Sequence, residues 1–483
     1  MDPEEEKNSR KDFDVDAKSM QSTRSEEGSS SKAEGKGGLV WAGLLLFAIS
    51  LARIGSGLFI SIHGPTLLTL ANNVDSSVSD VSWLFSGRSL GLLVGGLATG
   101  PIMRKVDNML GFAITSLFLG GVIIATPWIV DLWLLVIVVM IGGISFGYLD
   151  AGMQALILQV WGEKNSRGLI SGYHFTIAVG AFLAPIIAQP FLSQQEGDDL
   201  CPSSGQLQPN NSWLTTPSME VEETTISDLG PNPVVWAYLI CGVFLFVVFF
   251  IFVLLRLCKI ESKVRRGREG TVETRQEDSL KDLVLLFVLI CAYYFFCVAG
   301  ETSYSSYIYS ISICSKLQFS NSDGTLINSL FWIGFGLGRL SGVVVFRFLS
   351  PKHVILVDFV GIIASMTVVS IFGENTAEVT WAMTFFYGFF QATIYPGGVS
   401  WASQFTNMSG NYIFIFSAGQ ALGTMSLVPV GGIIFDIVPF SVMYMVLGCS
   451  VANALVFLLM MWEGGRLKKK RSDLHDDEWK TQL

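Results

Sequence analysis

Five charged side chains lie inside long apolar stretches: Arg53, Arg88, Asp150, Glu301 and Arg339, with Asp358 nearer the end of one. At the centre of a bilayer such a charge costs at least ~2.5–3.5 kcal/mol, so it is normally paired, solvated or functional. Asp150 has Phe146 four residues before it and Gln154 four after, and one helical face brings the three together. A carboxylate beside a neutral amide suits a hydrated cavity: the acid holds a proton or a cation, and the amide bonds hydroxyl groups. The competing reading of Asp150 is an ion pair with Arg53 or Arg88 that only joins helices. Glu301 opens the run Thr302, Ser303, Tyr304, Ser305, Ser306 and Tyr307, too polar for a lipid-facing surface and predicted to line water. It is the second coupling candidate, against a structural ion pair with Arg339. Sodium needs several oxygens, which a carboxylate, hydroxyls and backbone carbonyls can supply.

The arginines divide by their surroundings. Arg88 and Arg339 each follow a glycine. A permanently charged guanidinium is a poor proton carrier, so both are predicted to bond helix carbonyls or to pair across helices. Arg53 is predicted to hold the Asp150 carboxylate ionised. Candidate ligand contacts are the amides of Gln154, Gln391 and Gln420 and the rings of Tyr304, Tyr307, Trp332 and Tyr395. His174 is either pH-sensitive or a packing residue. For any single aromatic residue packing is the default, because the chain holds 12 Trp and 35 Phe.

The elements that must position these groups are hydrophobic spans. The 483 residues are 51% hydrophobic and only 15% charged, with a net charge of −9 and a mean hydropathy of +0.51. A soluble protein carries ~25% charge. The balance excludes a disordered chain and disfavours a soluble enzyme or a basic nucleic-acid binder, so no nucleic-acid partner is expected. No P-loop, zinc-ligand pair or nucleophile elbow is present, so neither ATP-driven nor hydrolytic chemistry is expected, nor a cofactor. Stretches of ~20 mostly apolar residues fall at 39–62, 80–103, 109–129, 132–159, 169–191, 234–258, 282–312, 325–348, 353–372, 379–402, 411–434 and 440–462. These twelve runs are too long and too continuously apolar for barrel strands. The result is an all-α membrane protein. Residues 1–38 read as a disordered polar tail, and 463–483 as a second tail whose Lys468, Lys469, Lys470 and Arg471 suit anionic lipid.

Alternating the gaps between spans puts 27 of the 31 Lys and Arg residues on the side of both termini. That side is expected to be cytoplasmic. The longest outer loop, 192–233, has seven acids, no Lys or Arg, and the sequon at Asn210. A second sequon at Asn407 faces the cytoplasm and is expected to be silent. Cys201 and Cys314 lie in or near outer loops and are expected to remain two unpaired thiols, since no spacing fixes their distance.

The basic linker 259–281 separates an N-terminal bundle, 39–258, from a C-terminal bundle, 282–462. The bundles repeat. Gly87-Arg88-Ser89-Leu90-Gly91 matches Gly338-Arg339-Leu340-Ser341-Gly342, Phe146–Ala151 matches Tyr387–Ala392, and Tyr173–Gly180 matches Tyr412–Gly419. Gln391 takes the place of Asp150 in this repeat and is expected to face it across a central cavity. Six-plus-six duplication is the arrangement of major facilitator transporters, whose substrate binds between the halves.

Further residues sharpen the likeness. They are Ile62-His63-Gly64-Pro65-Thr66, Gly147-Tyr148-Leu149-Asp150-Ala151-Gly152, His174-Phe175, Gly180–Pro185, Gly300-Glu301, Leu330-Phe331-Trp332 and Tyr395-Pro396. With these the chain, over 39–462, resembles the sodium-dependent glucose transporter 1 and domain-containing protein 4 branch of the major facilitator superfamily. More distantly it resembles the proton-coupled fucose permeases. The resemblance implies a major facilitator fold of twelve helices in two pseudo-symmetric six-helix bundles. It implies a secondary transporter of a hexose, glucose first, by alternating access, with sodium as coupling ion. Asp150 matches the acid of the fucose permeases' fourth span. Their first-span acid is Ser61 here, which weakens proton coupling, and their usual Asn is Gln154. Proton-coupled or facilitative transport of another small polar solute remains the alternative, and a receptor or scaffold without turnover is the reading from a different class. A monomer in the plasma membrane is expected, with the sugar and the lipid bilayer as its partners.

Overall fold

The computed structural model describes residues 40–192, 201, 232–260, 280–405 and 410–481, with 162–168, 171, 280–282, 410–414 and 471–481 described by backbone alone. Asn210, Asn407, all of 1–38 and most of the 192–233 and 259–281 segments lie outside the described residues. What is described is helical. We label the long segments α1 (Val40–Ile62), α2 (Val78–Met103), α3 (Asn108–Ala125), α4 (Leu132–Trp161) and α5 (Gly172–Phe191). The series continues with α6 (Val234–Leu257), α7 (Leu280–Cys314), α8 (Asn321–Phe348) and α9 (Pro351–Phe372). It closes with α10 (Ala377–Ala402), α11 (Gly410–Ile437) and α12 (Val442–Thr481).

The helix starts follow cap chemistry. Asp107 accepts from Leu110 N at 2.9 Å and Asp131 from Leu134 N at 2.8 Å. Ser320 accepts from Asp323 N at 3.1 Å. Each satisfies an N–H that the first helical turn leaves unpaired, so chains reverse over a few residues. The outer surface is apolar: Phe348 is 82% exposed, and Leu257 and Val360 are exposed as well. Large apolar groups facing outward along whole helices suit lipid as the surrounding solvent.

Eleven of the described helices are long and apolar enough to cross a membrane, not the twelve that the sequence predicts. The exception is α10. It is a full 26-residue helix, but its Thr, Gly, Ser and Gln residues dilute its apolar content. The loop expected at 160–168 is helical as well, within a continuous helical backbone from Leu132 to Ala188. That backbone doubles back: Tyr173 Oη lies 3.3 Å from Asp150 Oδ1, whereas a straight helix would part them by about 34 Å. At the far end α12 runs on helically to Thr481, where the sequence suggested a plain polar tail. Glu463 is fully buried there and pairs with Arg466 at 2.6 Å.

Within each half, helices meet backbone to backbone at glycines. A methyl group at Gly91 would overlap Met140 O, one at Gly95 Ile144 O, and one at Gly147 Leu92 O, so α2 and α4 touch directly. In the second half Gly338 and Gly388 bring α8 and α10 together against Phe389 O and Phe331 O. The α1–α5 seam at Gly180 on Ile54 O corresponds to the α7–α11 seam at Gly423 on Phe295 O. Small residues at such seams let apolar helices gain dispersion contacts that lipid would otherwise supply.

Between halves, polar contacts sit toward the ends remote from the termini. Ser79 N donates to Asp436 Oδ2 at 2.9 Å and Ser86 Oγ to Met425 O at 2.6 Å, joining α2 to α11. Gln189 Nε2 donates to Ser322 Oγ at 2.7 Å and Ser329 Oγ to Phe182 O at 3.3 Å, joining α5 to α8.

The same face carries a disulfide between Cys201 and Cys314, with Cα atoms 5.3 Å apart. This corrects the expectation of two free thiols. The fold brings Cys201 to the end of α7, and nothing local in the sequence encodes that approach across 113 residues. A loop of that size stabilises by ~4.7 kcal/mol in the chain-entropy account. It also joins the two halves covalently. Cleavage at a protease site inserted between 261 and 279 is therefore expected to leave one band on a denaturing gel without reductant and two with it. Two bands under both conditions would show that the bridge is not formed.

Candidate functional site

A cavity lies between the halves, enclosing about 920 Å³ of empty space with open solvent included. From the first half α1 contributes Arg53 and Ile60, α2 contributes Arg88, Ser89 and Leu92, and α4 contributes Phe146, Asp150 and Gln154. His174 and Ile177 come from α5. The second half gives Val298, Glu301, Thr302 and Ser305 from α7 and Trp332, Phe335 and Arg339 from α8. Tyr395 of α10 and Gln420 and Thr424 of α11 complete the wall.

Asp150 anchors the first side. Arg53 Nη1 lies 2.6 Å from Asp150 Oδ1, with the guanidinium side chain 5% exposed and the carboxylate 29%. Gln154 Nε2 donates to the same carboxylate oxygen at 3.1 Å and to Asp150 O at 3.2 Å. Tyr173 Oη donates to Oδ1 at 3.3 Å. The Tyr173 ring lies under the Arg53 guanidinium at 4.6 Å, and Phe146 lies 5.7 Å away. A cation held by a carboxylate on one side and by aromatic faces on another is fixed in position. The one-turn spacing of Phe146, Asp150 and Gln154 puts all three on the cavity.

The second side is less tightly paired. Glu301 and Arg339 both reach the cavity, yet among the described residues they make no ion pair. Arg339 stacks on Phe335 at 4.9 Å and its buried Nε has no partner. Arg88 donates from Nη1 to Ile60 O at 2.8 Å, the helix-carbonyl bond expected of it. Trp332 Nε1 is buried without a partner.

The structure leaves several sequence candidates off the cavity. Gln391 does not face Asp150; its amide donates to Cys297 O at 3.0 Å inside the second half. Tyr304 is buried with its hydroxyl 2.6 Å from Thr384 Oγ1, and Tyr307 donates to Val428 O at 2.8 Å, so both are packing residues. Of the run after Glu301 only Thr302 and Ser305 line the cavity. Asp358 is buried within the second half against Thr393 Oγ1. Conversely, Tyr173 was not a candidate in its own right, though its place in the repeat and beside His174 marked it. Thr424 was missed as well, although it stands one helical turn from Gln420.

The chemistry of the wall is mixed: acids and amides for hydroxyl groups, flat rings for an apolar ligand face, and three guanidinium groups. The sequence profile of the Major Facilitator Superfamily matches residues 49–420. The human sodium-dependent glucose transporter 1 is 31% identical over 408 residues, covering 84% of this chain and 76% of that protein. Mouse major facilitator superfamily domain-containing protein 4A is 24% identical over 460 residues, covering 84% and 89%. Among solved structures, the xylose transporter XylE from E. coli in a partially occluded inward open conformation aligns with a TM-score of 0.61 at 13% identity, over 87% of this chain and 99% of that one. A D-xylose-proton symporter aligns at 0.64, also at 13% identity, over 87% and 97%. These two show a shared fold.

Proposed function

We propose a function from one premise: the chain belongs to the Major Facilitator Superfamily. It is a multi-pass membrane transporter, not an enzyme. Its cargo is a sugar of the hexose class, with glucose the first substrate to test, moved by alternating access and driven by sodium. The observation that carries this reading is the cavity between the halves, with the Arg53–Asp150 pair and Gln154 on one wall and Glu301 and Gln420 on the other. Amides and carboxylates bond sugar hydroxyls, while Trp332 and Tyr395 offer flat faces to the ring. Sodium and glucose enter from the name of the 31% identical relative.

Glu301 is the cation seat in this scheme. It has no guanidinium within ion-pair distance among the described residues, and Thr302 and Ser305 stand beside it on the cavity with hydroxyl oxygens. Asp150, already held by Arg53, is the switch between the two accessible states. Polar contacts between the halves at the face opposite the termini support a state open toward the side of the termini. The excess of basic residues on that side supports assigning it to the cytoplasm, with the disulfide on the oxidising side. The plasma membrane is the membrane of residence.

The test is uptake of labelled glucose into sealed vesicles holding the purified protein. An inward sodium gradient is expected to drive accumulation, and dissipating it to end accumulation. Uptake that ignores sodium and follows an inward proton gradient would overturn the coupling assignment. Glucose binding without flux would favour a receptor.

A further inference from the structure

The cavity's charges do not balance. Three guanidinium groups line it, Arg53, Arg88 and Arg339, against two carboxylates, Asp150 and Glu301. One positive charge is therefore in excess when every group is ionised. Arg53 is matched by Asp150 at 2.6 Å. Neither Arg88 nor Arg339 has a carboxylate within 4.0 Å among the described residues, but Arg339 shares its wall with Glu301, whereas the carboxylate on the wall of Arg88 is already held by Arg53. Only 5% of Arg88 is exposed. One of its five N–H donors goes to Ile60 O, and the Phe85 ring lies 5.1 Å from its guanidinium carbon. Neither partner carries charge, and Arg88 borders the cavity with donors to spare.

From this we propose that Arg88 seats a carboxylate on the transported sugar, so that the site prefers a hexuronate to a neutral hexose. The proposal rests on the sugar-transport reading and narrows its substrate class. A buried charge without a counter-charge is strongly unfavourable in a low-dielectric site. A planar carboxylate fits a guanidinium fork with two parallel bonds, which a neutral hydroxymethyl group cannot form. Neutral groups suited to the remaining hydroxyls, Ser89, Ser305, Gln420 and Thr424, border the same space. Cation coupling strengthens the case. Sodium with a neutral sugar would raise the surplus to two positive charges, whereas sodium with a uronate leaves it at one.

The experiment measures inhibition of labelled glucose uptake by unlabelled D-glucuronate and by unlabelled D-glucose, using the full chain in chloride-free vesicles. Thermal stabilisation of the purified protein by each sugar is read in parallel. Glucuronate is expected to act at least ~10-fold below the concentration of glucose, the scale of a charge-assisted hydrogen bond. The methyl ester of glucuronate, which is neutral, is expected to lose that advantage without any change to the protein. In Arg88→Gln the ratio of the two inhibitory concentrations is expected to fall to about 1, whatever the absolute rate, and in Arg88→Lys to stay above 1. The methyl ester keeps the test decisive if Arg88→Gln does not fold. Equal or weaker action of glucuronate in the wild type overturns the proposal while leaving glucose transport standing. Absence of glucose uptake with Arg88-dependent stabilisation by glucuronate overturns the neutral-hexose reading and keeps the carboxylate seat. Stabilisation by chloride as strong as that by glucuronate, lost in Arg88→Gln, makes the seat a free-anion site and overturns the substrate assignment.

Discussion

Asp150→Asn is expected to collapse concentrative sugar uptake, so that the internal concentration never exceeds the external one. Asn keeps the size of the side chain and can still meet Gln154 and Tyr173, but it loses the charge that faces Arg53 at 2.6 Å. Without that charge the switch between the two accessible states loses the counter-charge to Arg53, while the cation seat at Glu301 is untouched. The guanidinium is then left 5% exposed against the Phe146 and Tyr173 rings. Removing one partner of a buried pair costs ~3–5 kcal/mol, and the 29% exposure of Asp150 to the cavity puts this case at or below the lower end. Two readouts separate coupling from folding. Exchange of labelled for unlabelled sugar at equal concentrations is expected to persist, because it needs no net movement of charge. The double substitution Arg53→Gln with Asp150→Asn is expected to recover most of the lost thermal stability without recovering accumulation. Full gradient-driven accumulation in Asp150→Asn would remove Asp150 from the coupling scheme.

The largest effect on folding is expected at a glycine seam. In Gly91→Val the new side chain would overlap Met140 O and the backbone at Gly143 and Ile144, none of which can rotate away. Overpacking a core typically costs 1–3 kcal/mol when side chains yield. Here α2 and α4 themselves must separate, which displaces Arg88, Ser89, Asp150 and Gln154 from the cavity wall together. Gly91→Val is therefore expected to yield little monodisperse protein in detergent. Gly96→Ala, at a position with nothing within 4 Å, is expected to behave as wild type. Equal yields from the two would mean that the seam is looser than described.

What the sequence makes legible is local. The one-turn spacing of Phe146, Asp150 and Gln154 places an acid, an amide and a ring on one face. The repeated Gly-Arg pairs likewise mark two seams, since a glycine permits close approach wherever it sits on the interface. The misses share one cause: they depend on which degree of rotation a helix adopts in the bundle. On α7, Val298, Glu301, Thr302 and Ser305 cluster on one side at the helical period, whereas Tyr304 and Tyr307 fall off it. Those two hydroxyls find Thr384 and Val428 O instead. The repeat carries the helix path but not the side-chain direction, so Gln391 occupies the place of Asp150 yet bonds Cys297 O. The span at 379–402 was legible and is the helix α10, although its polar residues leave it less apolar than the other eleven.

The Cys201–Cys314 bridge also puts events in order while the chain is being made. Cys201 is synthesised 113 residues before its partner, an interval of roughly 6–23 s at ~5–20 residues per second. Throughout it the thiol is open to any oxidant or neighbouring thiol it meets. The bond can close only once α7 has crossed the membrane and the halves have come together. A molecule with Cys201 still reduced is one whose assembly has not finished, and the bond serves as its mark of completion.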